Sequence, residues 1–310
     1  MRNVNEMYPE LCKVLVWEGV QEPSRNGQVL TILYPVIVDI EKPWERVLFD
    51  TRRDCNHFFH LFEAIWMMAG QNDVEFVAQF NPRMKEFSDD GKSFHGAYGF
   101  RWFHHFGIDQ VHNVIAMLED NPQDRRAVIT MWDPHSDLGK DGRDVPCNQQ
   151  MFFRVVAGRL NMTTTNRSND LVWGLCGANA VHLSLLHEYI AVSLGLPVGH
   201  WIHMSNNLHV YERHWDLIRF PETTNWYPEV EPTIVDPSNF LADCHAFVEY
   251  KGEGAYLTKF FQNTVITMLH AWDWYKAGNI PAAIAVADHI EANDWRKACV
   301  EWLERRNEQS

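Results

Sequence analysis

The sequence predicts an α/β (α+β) fold: a sheet core with packed helices and a helical C-terminal extension. Three observations predict it. β-branched runs such as LTILYPVIVDI (30–40) and RRAVITMW (125–132) alternate with apolar stretches of helical length. MFFRVV and LNMTTTNRS flank Ala157-Gly158-Arg159, a hairpin pattern. From about residue 240 the pattern becomes helical and stays so. We therefore expect one main domain over 1–240 and a helical extension over 241–310 packed on the same domain.

In chain order, LTILYPVIVDI reads as a single strand. HFFHLFEAIWMMAG (57–70) reads as an apolar helix that stops at Gly70. The segment 71–97 is polar and irregular, and suits a loop bordering a site. IDQVHNVIAMLED (108–120) has helical spacing, and the turn NPQD follows it. RRAVITMW is a strand, after which a polar Gly/Asp loop leads to Pro146-Cys147. NAVHLSLLHEYIAVSLG (179–195) is a helix closed by Gly195, and HWIHMSNNLHVY (200–211) reads as strand. FLADCHAFVEY and YLTKFFQNTVITMLHAWDWYKAG are helical, and the chain ends in a charged amphipathic helix, WRKACVEWLERRNEQS. No repeat or low-complexity linker is visible.

Composition narrows the function classes. The 310 residues are 46% hydrophobic and 13% aromatic, enough for a sizeable core. No apolar run approaches the roughly 18–20 residues that span a bilayer, and MRNVNEMYPELCKV lacks a signal-peptide layout. We expect no membrane partner and a cytoplasmic location. The net charge of −14 argues against duplex nucleic acid, because neutralising phosphates over a broad surface needs a basic face. Six scattered cysteines without a C-x-x-C pair indicate free thiols rather than a zinc knuckle or a disulfide framework.

Cys147, in RDVPCNQQMFF, is the candidate nucleophile. A lone cysteine is most often a small hydrophobe. It becomes a nucleophile where positive charge stabilises its thiolate, and two arginine-containing groups bracket it: Asp124-Arg125-Arg126 and Asn166-Arg167-Ser168-Asn169-Asp170. His57, His60 and Glu63 recur at i, i+3, i+6. With no fourth ligand evident, we read these as core or surface groups and expect no metal. A metal hydrolase built on His57, His60, His203 and His209 is weaker still.

The ordered set DRRAVITMW, PCN, hairpin, NRSND, GLCGANAVHLSLL and NNLHVY resembles the thymidylate synthase family, which includes pyrimidine-nucleotide hydroxymethylases. The resemblance runs from about Arg25 to Tyr211. It implies a bent β-sheet core, an obligate homodimer, and 5,10-methylenetetrahydrofolate as co-substrate. By the same resemblance, Cys147 adds to C6 of the pyrimidine and makes C5 nucleophilic. Arg25, Arg167 and Ser168 hold the phosphate, joined by Arg125 and Arg126 from the partner subunit. These four guanidiniums would also hold the Cys147 thiolate. Glu63 and Tyr98 move protons, and Asp170 lies near both base and folate, with Trp66 on the folate side. Asn179 reads the base, since an amide both donates and accepts; His209 and Tyr211 hold the 3′-hydroxyl.

The family's members make either a methyl or a hydroxymethyl product. Three departures favour the second: Met84 and Phe87 stand where synthases carry tryptophans, Asn148 follows the nucleophile where they carry histidine, and the C-terminus is not a short apolar tail. Water then attacks where hydride would be delivered. The expectation is dUMP to 5-hydroxymethyl-dUMP, as in phage enzymes that make modified DNA bases. The alternatives are a thymidylate synthase, hydroxymethylation of dCMP or CMP, and a catalytically silent nucleotide- or RNA-binding regulator. GLCGAN is also one residue longer than the family's usual loop.

Overall fold

The computed structural model describes residues 1–224 and 226–308. Its strands are β1 Val20–Ser24, β2 Gly27–Thr31, β3 Val36–Ile40, β4 Val128–Thr130, β5 Asn148–Val156, β6 Arg159–Asn166, β7 Asn169–Asp170, β8 Val198–Ser205 and β9 Leu208–Tyr211. They form two layers, ordered β1-β2-β9-β7 and β3-β8-β6-β5-β4. The layers are two halves of one bent sheet. The parallel neighbours β6 and β8 both break after the pair Asn166–Ser205, and they resume as the parallel neighbours β7 and β9. Backbone bonds bridge the break, with Asn206 N donating to Asn166 O (2.8 Å) and Asn169 N to Asn207 O (2.8 Å). Two adjacent strands thus turn the same corner together. Arg167 and Ser168 lie on that corner.

The helices are α1 Val4–Glu18, α2 His57–Met68, α3 Val74–Phe80, α4 Tyr98–Phe103, α5 Gln110–Asp120, α6 Asn179–Ser193, α7 Trp215–Arg219, α8 Pro237–Tyr250, α9 Ile266–Lys276, α10 Ile280–Ala287 and α11 Asn293–Glu308. All twelve residues of α2 are buried, as expected of a helix that is apolar on every side. Its Phe62 packs on Phe247 of α8 (5.4 Å between centroids), and Phe58 on Trp302 of α11 (5.6 Å). Each such ring removed from water stabilises the fold by about 1.5–3 kcal/mol. Two C-terminal helices therefore wall the helix that carries Glu63. Arg305 and Arg306 of α11 also pair with Asp54 just before α2, at 3.3 and 2.9 Å.

Four sequence expectations change, the first being HWIHMSNNLHVY, which is not one strand but β8 and β9, divided at Asn206-Asn207. LTILYPVIVDI is two strands, because Pro35 lacks the N–H a central ladder needs, and the chain passes from one half of the sheet to the other there. The segment 71–97 is not all loop: Asp73 accepts the Phe76 N–H (2.8 Å) and caps α3, whose Val74, Phe76, Val77 and Phe80 are buried. RRAVITMW contributes only the three residues of β4.

The residues that join β7 to α6, Leu171–Ala178, form a π-helix kinked at Gly177 (φ −106°, ψ −114°). A π turn holds one more residue than an α turn. GLCGA lies within this wide turn, and Asn179 opens α6.

One face of the β3-β8-β6-β5-β4 half carries no helix among the described residues. Burial alternates along its strands, leaving Ile37, Asp39, Gln150, Phe152 and Arg154 exposed. Among the described residues no helix is long and apolar enough to cross a membrane.

Candidate active site

Cys147 sits immediately before β5, where the antiparallel partner of Asn148 is Asn166. Arg167, one residue past that point, grips the cysteine's segment from three sides. Its backbone N–H donates to Cys147 O (2.9 Å), Nε to Pro146 O (3.0 Å) and Nη2 to Val145 O (2.9 Å). Its guanidinium also lies over Trp132, 5.8 Å from the ring centroid. The arginine is therefore both a local charge for the thiol and a clamp on the chain that presents it.

The hairpin turn between β1 and β2 brings Arg25 to the same loop. Its guanidinium donates to the carbonyl oxygens of Gly142 and Arg143, the latter at 3.2 Å. The β2–β9 ladder sets Val29 opposite Tyr211, and Asn26 Nδ2 donates to Tyr211 Oη (3.4 Å). The β7–β9 ladder pairs Asp170 with His209. His209 packs edge-on to Tyr211 (5.2 Å), and its Nδ1 lies 2.9 Å from Asn207 Oδ1. Burial lowers the His209 pKa, and the neighbouring Asp170 carboxylate partly offsets this.

Tyr98 approaches from the other side. The Asn148 N–H donates to its Oη (3.3 Å), and burial beside Cys147 raises the phenol pKa. The next residue, Gly99, touches α2 so closely that an added Cβ would stand 1.9 Å from Met67 O. Met67 lies one turn beyond Glu63, so Tyr98 borders the face that bears the carboxylate. Asp144 fastens the cysteine loop to this corner by accepting the Gly96 N–H (2.8 Å).

Glu63 lies 3.0 Å from Nε2 of His182 on α6, and both are buried. The approach is a close polar contact outside hydrogen-bonding geometry, since neither His182 ring nitrogen has a hydrogen-bond partner. Asn179 is on the same face of α6, three residues earlier. Its side-chain nitrogen lies 3.4 Å from where a Gly174 Cβ would be, so the amide stands beside the π-helix. Asp170 caps the π-helix by accepting the Val172 N–H at 2.9 Å. Ser168 lies on the corner beside Arg167. Trp66 is 2% exposed, and its indole N–H donates to Asp73 (2.9 Å), so its polar group is engaged within the core.

Arg125 and Arg126 are the residues a single chain does not bring in. They precede β4, and Phe153 N donates to Ala127 O (2.9 Å), which sets them beside Arg154. At about 3.3 Å per residue they stand roughly 20 Å along β5 from Cys147. Both are exposed, and Arg126 pairs with Asp124 at 2.6 Å. The expected stabilisation of the thiolate by four arginines is accordingly absent in one chain. Burial pushes the Cys147 thiol up, and Asp144 and Asp170 add to this, against the downward pull of Arg167 and Arg25.

Sequence reasoning passed over His182, Arg53 and Asp144. His182 had a signal: it follows Asn179 by one helical turn. Arg53 is buried with Nε donating to Val172 O (2.7 Å), a contact across 119 positions that no local pattern announces. Among the described residues no group of three or more His, Cys, Asp or Glu side chains is arranged to hold a metal ion. A cleft of about 1030 Å³ lined in part by Arg159, Leu196 and Val198 lies at the opposite ends of β6 and β8 from Cys147.

A bent-sheet α/β protein that gathers one cysteine, two arginines, a half-buried tyrosine and a buried carboxylate at one corner belongs, by fold and site, with the α/β enzymes of group transfer. The particular family is the thymidylate synthase family, enzymes of one-carbon transfer, and this chain belongs to it: residues 6–247 match the family described as thymidylate synthase. The chain is 44% identical to the deoxyuridylate hydroxymethyltransferase of Pseudomonas phage M6, over 98% of this chain and 93% of that protein. It is 34% identical to the protein of the same name from Bacillus phage SP01, over 66% of this chain and 56% of the relative. A third so named, from Delftia phage PhiW-14, is 29% identical over 69% of this chain and 63% of its own length.

Proposed function

We propose that this chain converts dUMP to 5-hydroxymethyl-dUMP in a phage-infected cytoplasm, with methylenetetrahydrofolate as the source of the carbon. The observation that carries the reading is the gathering at one sheet corner of Cys147, Arg167 and Tyr98, in a chain nearly half identical over its length to a phage deoxyuridylate hydroxymethyltransferase.

Cys147 adds through sulfur to C6 of the pyrimidine, which makes C5 a nucleophile. Arg25, Arg167 and Ser168 bind the phosphate, with Arg125 and Arg126 of the partner subunit. His209 and Tyr211 bind the 3′-hydroxyl, and Asn179 pairs with O4 and N3–H of uracil. Asn179 is the residue that favours uracil over cytosine. Tyr98 takes part in removing the C5 proton, and Glu63 exchanges protons with O4 through water. Folate fits the donor set: Asp170 gives one oxygen to Val172 and has the other for a ring N–H. When bound, methylenetetrahydrofolate supplies a one-carbon unit at the aldehyde level.

Water then attacks the exocyclic methylene on C5. Buried polar atoms provide for it: Asn148 Oδ1 and Asn166 Nδ2, beside the nucleophile, have no hydrogen-bond partner in the protein, and such groups are where ordered water binds. The homodimer that delivers the partner arginines uses the open face of β3-β8-β6-β5-β4.

The test is to incubate the protein with methylenetetrahydrofolate and dUMP, dCMP or CMP and weigh the products. A 5-hydroxymethyl-dUMP product without a rise in dihydrofolate absorbance is expected. A methylated product with that rise makes it a thymidylate synthase, and a cytosine product overturns the role given to Asn179.

A further inference from the structure

Resting on the functional reading above, the geometry points to a positioning residue for its last chemical step. We propose that His182, acting through Glu63, accepts the proton released when water adds to the exocyclic methylene.

The two steps make opposite demands on one carboxyl group. Early in turnover Glu63 delivers a proton towards O4. At the end it must take one from water, because a neutral water molecule is a poor nucleophile. The O4 proton returns to Glu63 when C5 attacks the one-carbon unit, so the carboxyl is protonated again before the last step, and a second group has to take that proton from it. His182 Nε2, at 3.0 Å, is the one ionic contact Glu63 makes among the described residues. An imidazole suits either state: Nε2 accepts from a protonated carboxyl or, carrying a proton, donates to an ionised one.

His182 is 2% exposed, yet both its ring nitrogens are without hydrogen-bond partners among the described residues. An imidazole so buried costs stability unless water or a substrate group completes it. The surroundings favour movement of a proton over storage of charge. His60 on α2 and Arg53 on the preceding turn come together at the Gly177 kink, and His182 acts on His60. Burial above all, with His57 and Arg53 beside it, holds the His60 imidazole far towards its neutral form. Neutral His60 lies under the kink, its Cε1 3.8 Å from where a Gly177 Cβ would be. Gly177 thus leaves room over the His60–His182–Glu63 group, next to Asn179 that reads the base.

The step balances without an oxidant or reductant. The water oxygen bonds to the methylene carbon, and the methylene π pair moves into the ring as a C4 enolate. One water proton passes to Glu63 and on to His182. The enolate then reforms the C5–C6 double bond and expels the Cys147 thiolate from C6. Hydride transfer releases no such proton, so the demand for His182 belongs to hydroxymethylation alone.

Loss of tritium from [5-³H]dUMP reports the steps before water attack, and 5-hydroxymethyl-dUMP reports the last. In His182→Ala and in His182→Gln, which keeps a polar group, tritium loss should stay within about threefold of the parent while hydroxymethyl product falls about 100-fold. The stranded methylene should be captured by added 2-mercaptoethanol as a thioether visible by mass, and added imidazole should restore hydroxymethylation to His182→Ala. An unchanged dUMP-induced rise in melting temperature certifies the fold. Tritium loss and product falling together in both variants, or product undiminished in both, overturns the proposal. A parent enzyme that yields only dTMP and dihydrofolate overturns the functional reading itself, and the proton-transfer step with it.

Discussion

At Cys147 opposed fields meet: Arg167 and Arg25 favour the thiolate, while burial, Asp144 and Asp170 oppose it. Cys147→Ala should lower hydroxymethyl-dUMP formation by about four orders of magnitude or more, while dUMP binding by calorimetry changes little. Turnover in that variant would remove the covalent mechanism. Asn179→Asp should move the ratio of kcat/KM for dUMP over dCMP by about 100-fold towards cytosine, since a carboxyl complements an amino group where the amide matched N3–H. At this scale much of the site was legible. Cys147, Arg167, Ser168 and Asp170 stand in short motifs that strand ends bring together. His182 was legible only in part: its place one turn after Asn179 was a signal, but its partner Glu63 lies on another helix.

Between α2 and α4 the backbone contact at Gly99 sets how near Tyr98 comes to the Glu63 face. A methyl group there meets Met67 O at 1.9 Å, so the helices must part. Gly99→Ala should cost about 2–4 kcal/mol by denaturant unfolding, and should lower turnover further by displacing the phenol. Equal stability in the variant would show that the helices separate freely. The elements read best from sequence were those whose periodicity is set by their own burial, such as α2 and the β5–β6 hairpin. Less legible were the short α3, which depends on a single cap from Asp73, and the break at Pro35, where two apolar runs join without a change in composition.

For the whole molecule, the roughly 20 Å between Arg126 and its own Cys147 predicts sites built from two chains. Cys147→Ala and Arg126→Glu should each be inactive alone. Unfolded together and reassociated, they should recover about a quarter of the sites, since half the dimers are mixed and each mixed dimer holds one intact site. Recovery of none would mean that each chain is self-sufficient or remains a monomer. Acid should act on the whole fold. His57 and His203 are pushed down to about 3 and His187 to about 4 by burial. Unfolded, each regains an ordinary pKa and takes up a proton, so stability is full above about pH 6.5 and falls as pH drops towards 4. Each imidazole contributes about 1.4 kcal/mol per pH unit in that window. The melting temperature should drop by about 5 °C or more between pH 7 and pH 5, and a flat profile would show these rings to be solvated. The corner shared by β6 and β8 has an evolutionary corollary. Side chains alternate along a strand, so one residue gained or lost in a single arm would exchange Asp170 for Asn169, or His209 for Leu208, on the inward side. Insertions in that corner should therefore be inherited as matched pairs, one in each arm, and related chains with only one should have lost the ability to bind a nucleotide.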